Sequence, residues 1–155
     1  LLGGARVRTA HTAVRVRLDG VALVELAPDS ELVFTPWGEA GGEARIELAR
    51  GGVRVATAPD FAPRKLTVLA PDAQIAIVGT EFGVDVLEGV GTCVCCTLGA
   101  IEVRPRGRER AERVLAGGMS FCFSSREAPM LGAVKDDHAA EVVALRRFAW
   151  PSAKR

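Results

Sequence analysis

Residues 73–86, AQIAIVGTEFGVDV, decide how the chain is read. Ile75 and Ile77 alternate with Ala76 and Val78, so both faces of that segment are apolar, the pattern of a strand buried on both sides. Gly79 and Thr80 break the run. Phe82, Val84 and Val86 then alternate with Glu81, Gly83 and Asp85, which predicts a half-buried strand with one solvated face. Gly79 marks either a backbone conformation that a Cβ would obstruct or the close approach of another backbone. Gly79, Thr80 and Phe82 are therefore structural positions, and the stretch contains no catalyst.

Working outward, the same alternation recurs. Residues 6–10 and 13–18 read as strands that carry Arg6, Arg8, Arg15 and Arg17 on outward faces. Those arginines either form a basic patch or, the preferred reading, keep strand faces solvated and discourage edge aggregation. Asp19-Gly20 predicts a hairpin turn into 21–26, and Pro28-Asp29 a turn into 31–35. Residues 44–48 and 53–57 read as two strands joined around Gly51-Gly52. Trp37 lies in the loop between these groups, where it either covers the end of the core or stacks on a ligand. Further strands are expected at 65–69, 92–98, 100–104 and 119–123. RPRGRER, 104–110, reads as a hairpin tip whose arginines have the chemistry to grip phosphate or carboxylate, with a solvated tip preferred.

The period changes only near the end. Val142, Leu145 and Phe148 recur every three residues, with Asp136 and Asp137 before them, Arg146 and Arg147 after, and Pro151 beyond, as a capped helix requires. The expectation is an all-β domain over 5–123, either a twisted β-solenoid or a β-sandwich of many short strands, with one C-terminal α-helix over 135–150 packed on or beside it.

With 155 residues the chain has room for one domain with a real core. Seventeen glycines and eight prolines suit many turns, and 20 basic against 19 acidic residues leave no global field for nucleic acid or an anionic membrane surface. No apolar run is long enough for a membrane helix. The chain begins at Leu1 rather than methionine, so an anchoring segment upstream stays open.

Cys93, Cys95 and Cys96 lie in TCVCCTL and Cys122 in MSFCF. On a strand, Cys93 and Cys95 share a face and Cys96 points the other way. The spacing is not that of a zinc knuckle. The four are expected to be buried free thiols or, if the two strands pair, to include one cross-strand disulfide. A metal or redox site would draw on Cys93, Cys95, Cys122 and His138. No HxH, HExxH, GxSxG or P-loop pattern is present, so the chain reads as non-enzymatic with no cofactor.

Four segments carry a resemblance to a known family: AVRVRLDGVALVELAPDSEL, IELARGGVRVATAP, KLTVLAPDAQIAIVGTEFGVDV and IEVRPRGRERAERVLAGGMSF. Over residues 9–123 the chain resembles the FecR-like domain, the periplasmic module of iron-dicitrate-type sigma-factor regulators, with GTEFGV the most specific element. The resemblance implies a twisted β-solenoid fold and a periplasmic location behind a membrane helix. It also implies a protein partner, an outer-membrane receptor or another envelope protein, and a role in passing its signal toward a sigma factor. The leading expectation is an extracytoplasmic sensory and interaction module that presents strand edges or turns. The alternatives are a cysteine-based metal or redox sensor and a carbohydrate-binding module around Trp37.

Overall fold

The computed structural model describes residues 4–18, 22–35, 43–59, 61, 65–77, 79–123, 128–134 and 136–149. Trp37, the Asp19-Gly20 turn, Val78, Ser124, Ser125 and Pro151 lie outside the described residues, as do the side chains of Arg146, Arg147 and Phe148.

Among the described residues thirteen strands and one helix follow in order: β1 (Ala5–Arg8), β2 (Val14–Leu18), β3 (Ala22–Leu26), β4 (Glu31–Thr35), β5 (Glu43–Thr57), β6 (Lys65–Leu69), β7 (Ala73–Ile77), β8 (Glu81–Leu87), β9 (Gly91–Leu98), β10 (Ala100–Pro105), β11 (Glu112–Leu115), β12 (Gly118–Phe123), β13 (Met130–Ala133) and α1 (Asp136–Ala149). The fold is all-β with a single C-terminal helix, as the sequence predicts.

The strands form one sheet curled into two layers that share β5. The first layer runs β1-β4-β5-β6-β7-β10-β11 and the second β2-β3-β5-β8-β9-β12-β13. Every described pairing except β5 with β6 is antiparallel. With antiparallel ladders and two layers that share β5, the arrangement is one curled sheet folded over a single core. One core fills the space between the layers, with Phe34, Ile46, Leu66, Ile75 and Ile101 from the first meeting Leu26, Val55, Phe82, Val94 and Cys122 from the second.

The two strands expected around Gly51-Gly52 are one continuous strand. The first half of β5 pairs with β4 and β6, and the second half with β3 and β8. Gly51 is the corner, with φ +76°, and the β4 register slips by one residue just before it, at Ala49. A Cβ there would stand 2.6 Å from the Ser30 Cα. In place of that Cβ, the Ser30 hydroxyl accepts from the Gly52 N–H at 2.9 Å and donates to the Gly52 carbonyl at 3.1 Å. Glycine at a sheet corner lets the chain change layers without breaking its ladder.

The burial of the central stretch is the reverse of its pattern. β7 alternates, with Ala73, Ile75 and Ile77 buried, Gln74 exposed and Ala76 intermediate. β8 is buried on both faces from Glu81 through Val84. The cause is α1, which packs on the outside of the second layer: Leu145 joins Leu23 and Ala56 in a small second core, and Val142 is fully buried. Gly79 has φ +73° with open space around its missing Cβ, so its backbone conformation, and not a close neighbour, calls for glycine.

β11 and β13 were not legible as strands. β11 pairs antiparallel with β10 and closes the 104–110 hairpin, and β13 pairs antiparallel with β12 and ends the second layer.

Candidate functional site

The outer face of the second layer carries a buried ion-pair network and two of the cysteines. Opposed residues in the ladders share a face, so one row runs Glu25, Arg54, Gly83, Cys95, Met119 across β3, β5, β8, β9 and β12, and the next runs Gly52, Asp85, Cys93, Phe121, Met130.

Arg54 is the hub of that face, its side chain only 8% exposed. It donates to Asp85 Oδ1 at 2.9 Å, to Glu141 Oε2 at 2.9 Å through Nε, and to the Val53 carbonyl at 3.2 Å. Burial opposes its charge, but the Asp85 carboxylate and Glu141 outweigh that cost and raise its pKa further. Two glycines leave room for this network. A Cβ on Gly83 would stand 3.0 Å from both Arg54 Cδ and Cys95 Sγ, and one on Gly52 would collide with Asp85 Oδ1. The alternation of Gly83 with Phe82 and Val84 thus makes space for an arginine bound to the helix, and the face is covered where the pattern suggested solvent.

Beside this hub lies a groove of about 620 Å³ lined by Gly52, Asp85, Leu87, Cys93, Met119, Phe121, Met130 and His138 among others. Its volume falls in the range of ordinary ligand or side-chain pockets. Its rim is apolar and open, with Leu87 and Met130 about half exposed. The Nδ1 of His138, in the first turn of α1, is closed off from solvent without a hydrogen-bond partner among the described residues.

The four cysteines are free thiols, all buried. The strand of Cys122 does pair with that of Cys93, Cys95 and Cys96, but the register places Cys122 opposite Thr92, on the inner face with Cys96. Cys93 and Cys95 are on the outer face, so a disulfide from either to Cys122 is geometrically closed. Of the candidate ligands, the fold brings Cys93 and His138 to one groove, leaves Cys95 beneath Arg54 and puts Cys122 in the core. Among the described residues no three His, Cys, Asp or Glu side chains are placed to hold a metal ion. Burial pushes the Cys96 thiol up to about 11 and raises Cys95 and Cys122 as well, with Arg54 pulling Cys95 the other way. Such thiols are nearly all protonated at neutral pH and react slowly.

Among the described residues the layers end in four strand edges, β1 and β11 in the first and β2 and β13 in the second. β1 carries Arg6 and Arg8, which pair with Glu31 at 3.5 and 3.0 Å, and β2 carries Arg17 and Arg15, the latter paired with Glu25 at 2.5 Å. Arg6, Arg8 and Arg15 are neutralised edge guards rather than a basic patch, and Arg17 is exposed with no ion pair among the described residues. β11 carries Glu112 and Arg113. β13, MLGA, has no charge, and all four of its residues are exposed, Met130 by 54% and Leu131 by 60%. Exposure on both faces left it without the apolar alternation by which a strand is recognised.

No curated protein matches the chain. Two crystal structures of a candidate anti-sigma factor from Parabacteroides distasonis ATCC 8503, at 1.65 and 2.50 Å resolution, share the fold with a TM-score of 0.74 at 17% identity. They align with 90% and 96% of this chain, which spans only 63% and 65% of theirs. The family described as FecR protein matches residues 5–102, from the start of β1 into β10 and including GTEFGV. The chain belongs to the FecR protein family.

Proposed function

We propose that the chain is the extracytoplasmic interaction module of a sigma-factor regulator, non-enzymatic, and that it takes up a strand of an envelope partner along β13. Family membership and the likeness to a candidate anti-sigma factor support the regulatory setting. The observation that carries the docking site is the contrast among the edges: three are charged and β13 is not. A free edge offers unpaired N–H and C=O groups, which supply affinity, while pockets for alternate side chains supply specificity. The groove provides such a pocket, since Met130 of β13 is one of its lining residues. A partner strand antiparallel or parallel to β13 would lay every second side chain toward Met130 and Phe121.

The test is binding of the periplasmic domain of an outer-membrane receptor from the same organism. Leu131→Lys, a charge of the kind that guards the other edges, is expected to weaken binding at least about ten-fold while leaving circular dichroism unchanged. Equal affinity for the variant would remove β13 as the docking edge.

A further inference from the structure

We propose that the groove under the β10–β11 hairpin is a binding site for a phosphate-bearing ligand, held by Arg104, Arg106 and Arg108. These three arginines line one concavity of about 450 Å³, whose walls are Leu69, Pro71, Ala73 and Pro105. The hairpin is fixed against the β6–β7 turn, with the Arg106 N–H donating to the Asp72 carbonyl at 2.8 Å and Arg104 opposed to Gln74 in the ladder.

What sets these three apart is where they gather: Arg17, Arg45, Arg110 and Arg113 also face no carboxylate within ion-pair distance among the described residues, whereas Arg104, Arg106 and Arg108 line one concavity. Arg6, Arg8 and Arg50 share Glu31, Arg15 holds Glu25, and Arg54 holds Asp85 and Glu141. Among the described residues Arg104, Arg106 and Arg108 face no carboxylate within ion-pair distance, and only Arg106 has a side-chain bond, to the Pro71 carbonyl at 3.3 Å. Asp72, the nearest acid in the adjoining turn, is turned away and accepts from the Thr92 hydroxyl at 3.1 Å. Among the described residues no acid lines the groove. Three unpaired guanidinium groups in one concavity with apolar walls focus a positive field where a solvated tip would disperse it. Guanidinium forks match phosphate oxygens in bidentate geometry, and the charge repulsion among the three is relieved only by an anion of more than one charge.

Pyrophosphate serves as the probe, followed by amide NMR on the labelled protein at constant ionic strength. Saturable one-to-one shifts confined to residues 69–74 and 104–108 are expected. Each of Arg104→Gln, Arg106→Gln and Arg108→Gln is expected to weaken binding about ten-fold, because each removes charge-assisted bonds from an exposed side chain. Sedimentation with phosphatidic acid vesicles distinguishes a lipid headgroup from a free phosphate. Sedimentation competed by pyrophosphate assigns the headgroup, and pyrophosphate binding without sedimentation assigns the free anion. Shifts that sodium chloride reproduces at equal ionic strength, or that survive all three substitutions, would overturn the site.

Discussion

Replacing Arg54 with methionine removes the cation that joins β5, β8 and α1 while keeping most of the buried stem. Asp85 then keeps a carboxylate only 20% exposed with no guanidinium beside it, and Glu141, 54% exposed, returns to water. Breaking a fully buried pair from one side costs about 3–5 kcal/mol. Partial solvation of Asp85 reduces that to about 2–3 kcal/mol, and the Glu141 arm adds less than about 1 kcal/mol. Against a total stability of about 5–15 kcal/mol this is a large share, equivalent to a fall in Tm of roughly 5–10 °C for a chain of this length. Urea denaturation followed by far-ultraviolet circular dichroism measures it. Asp85→Asn in the Arg54→Met background should cost much less than in the native protein, since the stranded charge is gone. Gly83→Ala, which pushes a methyl against Arg54 Cδ and Cys95 Sγ, should cost about 1–3 kcal/mol and be partly relieved by Arg54→Met. A loss below about 0.5 kcal/mol for Arg54→Met, or strict additivity with Asp85→Asn, would refute the hub.

Three further outcomes are expected. Gly79→Val should destabilise by about 1–2 kcal/mol and Gly79→Asn by less, because φ is +73° while the space is open; equal stability for valine would remove the backbone requirement. Cys96 has a folded pKa raised to about 11, so its contribution is intact below the unfolded thiol pKa and is lost as pH rises from about 9 through 11; urea titrations across that window under reducing conditions should show falling stability, blunted in Cys96→Val. Glu31 is held low by the Arg8 hydrogen bond and then by the charges of Arg8, Arg6 and Arg50. Its stabilisation is therefore present above the usual carboxylate pKa of about 4.3 and lost as pH falls through the lower folded value, and Glu31→Gln should flatten that acid limb.

The strands were legible where one face meets the core and the other meets water. β4 falls where its alternation places it, β6 lies at the expected 65–69 although it is buried on both faces, and the acid-first, base-last order around Val142 and Leu145 located α1. The pattern misled at β7 and β8, since local alternation cannot say which layer a distant helix will cover. Ala76 is small enough to leave partly solvated, while Glu81 and Asp85 are drawn under α1 by long-range packing. The pair Gly51-Gly52 carried the usual signature of a turn, although its dihedral and its contact with Ser30 make a corner within one strand. The cysteine faces followed from the period of two for Cys93, Cys95 and Cys96. The face of Cys122 depended on a register that no single strand encodes. The groove joins residues from β5, β8, β9, β12, β13 and α1, a convergence that only topology creates.

Hydrogen–deuterium exchange of the chain with and without the periplasmic domain of an outer-membrane receptor that binds it tests strand uptake at β13 most directly. The expected result is new protection of the amides at 130–133, together with slower exchange around Phe121 in β12 and none on β1, β2 or β11. Protection confined to a charged edge or to the 104–110 hairpin, with β13 unchanged in a saturated complex, would contradict it.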